Sequence, residues 1–174
     1  IEFSLVNAMS REFTLKNSIR EIKDNYDYVL IDCMPSLGMI TINALACSDK
    51  IIIPVQGEYL AAKGMGHLLK TVNRVHKQIN PNLKIGGVLL TLVDKRTNLS
   101  KDVRDTINEN YGHYVNIYNT EIPKAINTAK STSTGKSIFE FDKNSPVAEA
   151  YKNLAKEVLD NERTRTKNET SKAR

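Results

Sequence analysis

Two stretches of this chain, Lys50–Val55 (KIIIPV) and Leu83–Leu92 (LKIGGVLLTL), are apolar almost without interruption, and Tyr28–Ile31 (YVLI) shares the pattern. A strand with one wet face alternates apolar and polar residues. A strand apolar throughout is covered on both faces, which is the habit of parallel sheets. Val115–Tyr118 reads as a weaker fourth strand.

Helical periods separate these runs. Phe13, Ile19, Ile22 and Tyr26 lie roughly on one face of a first helix, and Leu37–Cys47 forms a short, mostly apolar one. Met65, Leu68, Leu69, Val72, Val75 and Ile79 recur at steps of three and four, the mark of an amphipathic helix that Pro81 closes. Leu99, Val103, Ile107 and Tyr111 step by four. Ser145-Pro146 is a helix start, a capping side chain followed by proline at the first turn. Val147, Tyr151, Leu154, Val158 and Leu159 form the stripe of that last helix. Buried strands alternating with helices predict an α/β fold with a doubly wound, mostly parallel sheet and helices on both faces.

The 174 residues suffice for one domain with its own core. No apolar stretch approaches the ~20 residues that span a bilayer, so no membrane is expected. Cys33 and Cys47 are too few for a disulfide framework, which points to a reducing, cytoplasmic setting. Much of the net charge of +5 sits after Asn161, where Arg163, Arg165, Lys167, Lys172 and Arg174 face only Glu162 and Glu169. That tail, residues 161–174, lacks large apolar side chains and is expected to be disordered, either solvated or touching nucleic acid or acidic lipid. The first residue is Ile1, inside an apolar–polar pattern, which suggests a piece of a longer element.

In doubly wound sheets ligands gather at the carboxyl ends of the strands. Asp32 closes one apolar run. A carboxylate there can hold hydrated Mg²⁺ through water or cap the next turn. Pro35, Ser36 and Gly38 make a stiff polar turn beside it, suited to sensing a terminal phosphate. The partner motif would be a glycine-rich loop ending in Lys-Ser/Thr. Gly135-Lys136-Ser137 is the only GK[ST] string, but the glycine required five residues earlier is Lys130. Cys33 lacks the arginine that a phosphatase loop needs six residues on, where Met39 stands, so it reads as a buried structural thiol. His67 and His76 face opposite sides of one helix and cannot share a metal. Arg96 and Lys95, then Lys124, Lys130 and Lys136, are either solvated loop cations or a phosphate-contacting patch.

Five blocks then carry a resemblance. YDYVLIDCMPSLGMITINAL, DKIIIPVQGEYLAAKG, GGVLLTLVDKRTN, EIPKAI and GKSIFEFDKNSPVAEAYKNLAKEVL resemble, in order and spacing, the ParA/Soj-type partition ATPases of the deviant-Walker-A, MinD-like group of P-loop NTPases. The CMPSLG form, with Met34 where many relatives have proline, resembles the branch on plasmids and conjugative elements. The resemblance makes residues 1–160 the carboxyl-terminal two-thirds of an NTPase domain whose amino-terminal P-loop segment is not in this chain. It implies ATP and Mg²⁺ for the full-length protein. Asp32 would be the catalytic, magnesium-side carboxylate, with Cys33, Met34, Pro35 and Ser36 in the switch beside it. Thr91, Asp94, Ile122, Pro123 and Lys124 would border the adenine. Arg96 would contact non-specific double-stranded DNA, joined by Lys124 and Lys130. A second DNA-contacting arginine of some relatives falls at Asn127. The implied partners are DNA, a ParB-like stimulating protein and a second copy in a homodimer, on the bacterial nucleoid. Lacking the phosphate loop, the 174-residue chain is expected to be inactive alone. The alternative is a P-loop-less, non-enzymatic DNA- or protein-interaction module.

Overall fold

The computed structural model describes residues 9–34, 36–56, 59–94, 96–97 and 99–172. Pro35 and Lys95 therefore lie outside the described residues. The described elements include helices α1 (Thr14–Ile19), α2 (Met39–Cys47), α3 (Tyr59–Gln78), α4 (Leu99–Tyr111), α5 (Ile126–Ser133), α6 (Ile138–Phe141) and α7 (Pro146–Lys172) and strands β1 (Lys50–Gln56) and β2 (Lys84–Thr91). The two strands pair, and α3 is the crossover between them. Val88 and Val93 add parallel bridges to Ile117 and Pro123. The fold is thus mixed α/β with parallel pairing, as the apolar runs predict.

The chain divides into two compact units. The first takes the residues up to Ile51 with Gly64–Ile85. Its core is Leu45, Val72, Val75 and Leu83, with Ile51, Leu68, Ile79 and Ile85 packed against them. The three- and four-residue steps of α3 thus become one buried stripe, each large side chain contributing about 1.5–3 kcal/mol. Two buried asparagines tie the unit together. The Asn43 amide donates to the carbonyls of Arg11 (2.8 Å) and Met39 (2.9 Å) and accepts from Leu15 N–H (3.0 Å). The Asn80 amide donates to the carbonyls of Leu45 (3.0 Å) and Ser48 (2.8 Å).

The second unit takes Ile52–Lys63 and Gly86–Arg174. Leu89, Tyr118, Ile122, Ile138, Val147 and Ala148 form its core. Gly87 explains how Tyr118 reaches full burial. A methyl group at Gly87 would stand 2.8 Å from the Tyr118 ring and 3.0 Å from the Asn116 carbonyl, so only glycine leaves room. Ser145 caps α7, its Oγ accepting from Ala148 N–H at 3.2 Å, as Ser-Pro predicts.

Five expectations need correction. Tyr28–Ile31 forms no strand, and Val29 and Leu30 are 45% and 93% exposed. An apolar run becomes a strand only beside a neighbour offering a row of N–H and C=O groups, and none of the described residues does so. Val115–Tyr118 contributes one bridge rather than a ladder. The first helix stops at Ile19, leaving Ile22 and Tyr26 exposed, because six residues without a capping side chain are too few to propagate. On α7, Tyr151 and Leu159 are exposed, while Val147 and Ala148 are buried and Leu154 and Val158 pack half-buried against the same core. The α7 backbone also continues through Lys172, where composition predicted disorder. No glycine or proline interrupts it there, and Asp160 pairs with Arg163 one turn on.

Candidate functional site

In the first unit the extended residues before α2 carry Asp32, Cys33 and Met34 at the surface, with Met34 63% exposed. Ser36 follows in a tight turn, its N–H donating to the Met34 carbonyl at 2.7 Å. Buried Thr41 then fixes the turn to α2, its hydroxyl donating to the Ser36 carbonyl at 2.6 Å. Cys33 is exposed, correcting its reading as a buried thiol. Local desolvation, then the Asp32 carboxylate beside it, push the thiol pKa up, which makes it a poor nucleophile.

Among the described residues no three His, Cys, Asp or Glu side chains converge as a metal cage. Magnesium does not require one. It keeps several waters and takes one or two carboxylates plus the phosphates of its substrate. An exposed lone carboxylate, as at Asp32, fits that donor set.

In the second unit β2 ends at Thr91, whose hydroxyl donates to the Val55 carbonyl at 3.4 Å. Leu92 follows with φ 53°, a left-handed conformation that is costly for a branched side chain. This kink turns the chain toward Ile122–Lys124. Val93 N–H donates to the Ile122 carbonyl (3.0 Å), and Lys124 N–H donates to the Val93 carbonyl (3.0 Å). Ile122 is buried and Pro123 half-buried. Thr91, Asp94, Ile122, Pro123 and Lys124, some 30 residues apart in sequence, thus meet at one corner.

Asp94 and Arg96 form a closed pair there. Arg96 Nε and Nη2 donate to the two Asp94 oxygens at 2.9 and 2.7 Å, and Arg96 N–H adds a third bond to Oδ1 at 3.0 Å. The guanidinium bond, the backbone bond and the Arg96 charge, with Lys124 nearby, hold the Asp94 carboxyl well below the usual carboxylate range. Arg96 is itself raised by the same partner. Lys130 stands exposed on α5, and among the described residues its ammonium makes no ion pair. Asn127 is structural, its amide donating to Asp142 at 2.8 Å.

Sequence reasoning missed the residues that hold this corner in place. Arg104 on α4 pairs with Glu121 (2.9 Å) and donates to the Tyr118 carbonyl (2.9 Å). Glu157 on α7 accepts from Asn119 N–H (2.7 Å) and Thr120 N–H (2.9 Å). Burial alone would raise the Glu157 carboxyl, but these donated hydrogen bonds outweigh it and hold the pKa below its ordinary value. Partners 14 to 38 residues apart leave no sequence signal.

Gly135-Lys136-Ser137 is a joint between helices. Gly135, at φ 67°, follows α5, and the N–H groups of Gly135 and Lys136 return to the Thr132 and Ser131 carbonyls. Ser137 caps α6, accepting from Glu140 N–H.

Residues 1–85 match a family described as an AAA domain. The chain is 47% identical over 160 residues to the sporulation initiation inhibitor protein Soj of Bacillus subtilis, covering 92% of this chain and 62% of that one. It is 40% identical to the chromosome-partitioning ATPase Soj of Treponema pallidum, covering 89% and 60%. Among solved structures it is similar to the cobyrinic acid a,c-diamide synthase of Mycobacterium smegmatis, at 33% identity and a TM-score of 0.76 over 91% of this chain and 57% of that one. That enzyme has also been solved with bound ADP and magnesium, at 32% identity and a TM-score of 0.67 over 78% of this chain and 59% of that one. The chain spans about three fifths of the length of these curated relatives.

Proposed function

Because the chain belongs to the ParA/Soj-type ATPase family, we propose that it serves ATP-driven partition of DNA, with Asp32 on the magnesium side of a nucleotide site and Arg96 on the nucleic-acid side. Most of phosphoryl-transfer catalysis is positioning and charge stabilisation rather than covalent chemistry, and the residues fit those tasks. Bound magnesium would neutralise charge between phosphates. Asp32 would orient its water shell, with Cys33, Met34, Pro35 and Ser36 as the turn that follows the terminal phosphate.

The observation that carries the reading is the corner in the second unit. Val93, between Thr91 and Asp94, joins Ile122–Lys124 through two backbone hydrogen bonds, which supports reading Thr91, Asp94, Ile122, Pro123 and Lys124 as the border of a flat adenine ring. Arg96 leaves that corner with its side chain 88% exposed, where a duplex can reach it. Lys124 and Lys130 add charge as compact ammonium groups, without the fork that arginine offers a phosphate. A partner DNA-binding protein of the ParB type and a second copy of this chain complete the proposed cycle.

Contact through phosphate has a sequence-blind, salt-dependent signature. In fluorescence anisotropy with duplexes of different sequence, Arg96→Ala weakens binding about equally for all of them. It also lowers the slope of log affinity against log salt by about one. An unchanged slope would remove Arg96 from the interface.

A further inference from the structure

We infer that Asp94 is a built-in competitor of phosphate, its carboxylate occupying the Arg96 guanidinium so that a nucleic-acid phosphodiester engages Arg96 only by displacing it. This rests on the proposed reading of Arg96 as a phosphate contact and adds a residue that sets its strength.

The geometry is specific. Arg96 offers Asp94 the Nε/Nη2 edge, at 2.9 and 2.7 Å. That parallel two-donor edge is also the one a phosphate prefers, because its oxygens match the same fork. The Asp94 side chain is only 29% exposed while Arg96 is 88% exposed, so an approaching ligand meets the guanidinium first and the carboxylate lies beneath it. The Arg96 N–H bond to Oδ1 locks the carboxylate in an Asx-type turn, so it is pre-positioned rather than met by chance. Lys124 lies close enough for its charge to reach the same carboxylate. With Asp94 ionised the trio carries a net charge of +1 rather than +2, and one fewer cation is available to release counterions from DNA.

Asp94→Asn tests this, since asparagine keeps Oδ1 as an acceptor for Arg96 N–H while removing the charge and replacing the Oδ2 acceptor of the fork by an NH₂ donor. Duplex DNA at low salt is the probe, read by anisotropy on the 174-residue chain. Asp94→Asn tightens binding about three- to fivefold, the scale at which an exposed ion pair competes. It also steepens the salt slope. Asp94→Ser, which keeps a turn-forming hydroxyl, behaves alike and guards against a folding artefact. The double variant Asp94→Asn with Arg96→Ala binds like Arg96→Ala alone, and Asp102→Asn on α4, an equal charge change elsewhere, binds like the parent. If Arg96→Ala weakens binding while both Asp94 variants leave it unchanged, the competition is refuted and the contact stands. A gain that survives without Arg96, or one that Asp102→Asn reproduces, also refutes it. If Arg96→Ala has no effect, the contact itself fails and the inference falls with it.

Discussion

Glu157 joins α7 to the loop that leads into Ile122–Lys124, and its removal has a calculable cost. Oε1 accepts from Asn119 N–H and its side-chain amide, and Oε2 from Thr120 N–H. A hydrogen bond to a charged group contributes about 1.5–3 kcal/mol when buried. Here the Asn119 bonds are exposed and the Thr120 bond only part-buried, so screening reduces the set to about 2 kcal/mol in total. Glu157→Ala should cost that amount. Glu157→Gln should cost about 1 kcal/mol, since its carbonyl keeps one donor while its NH₂ turns a second donor toward an N–H. For a chain of this size each kcal/mol lowers Tm by about 2–4 °C.

The pH dependence separates this account from simple loss of packing. The folded carboxyl lies below its ordinary value of 4.5, so its contribution is present above that value and is lost as pH falls through the folded pKa. The gap between the parent and Glu157→Gln should be full at neutral pH and close as pH falls through the depressed folded pKa, where protonated Glu resembles Gln. Urea titrations at neutral and acid pH measure it, and amide exchange at Asn119 and Thr120 reports the loop directly. A gap that persists undiminished in acid would refute the hydrogen-bond account.

Two further outcomes follow from packing. Gly87→Ala places a methyl 2.8 Å from the ring of the fully buried Tyr118 and should destabilise by about 1–3 kcal/mol in urea unfolding. A fully stable variant would mean that Tyr118 can move aside. Asn43→Ala strands Leu15 N–H and frees two carbonyls, so it should cost about 2–3 kcal/mol and loosen α1 before the rest, read as faster amide exchange at Leu15.

Much of the secondary structure was legible. β1, β2, α3 and α4 follow from apolar runs and three-four periods, because burial of a face imposes its period on the residues that form it. Ser145-Pro146 marked the start of α7 because a cap is a local event. The Asp32 turn and the Arg96 corner were legible as candidates for the same reason, lying next to strand ends or in compact motifs. Whether an apolar run becomes a strand was not legible. Tyr28–Ile31 and Lys50–Val55 look alike in sequence, yet only the second has a partner ladder among the described residues.

The sequence by itself determined the α/β class, the periodic helices and the family, since each is written in neighbouring residues. Only the tertiary structure decided what those residues face. It brought Arg104 and Glu157 from distant helices onto the 118–121 loop. Hydrogen-bond partners are chosen by distance in space after the core has closed, and local composition carries no record of that choice.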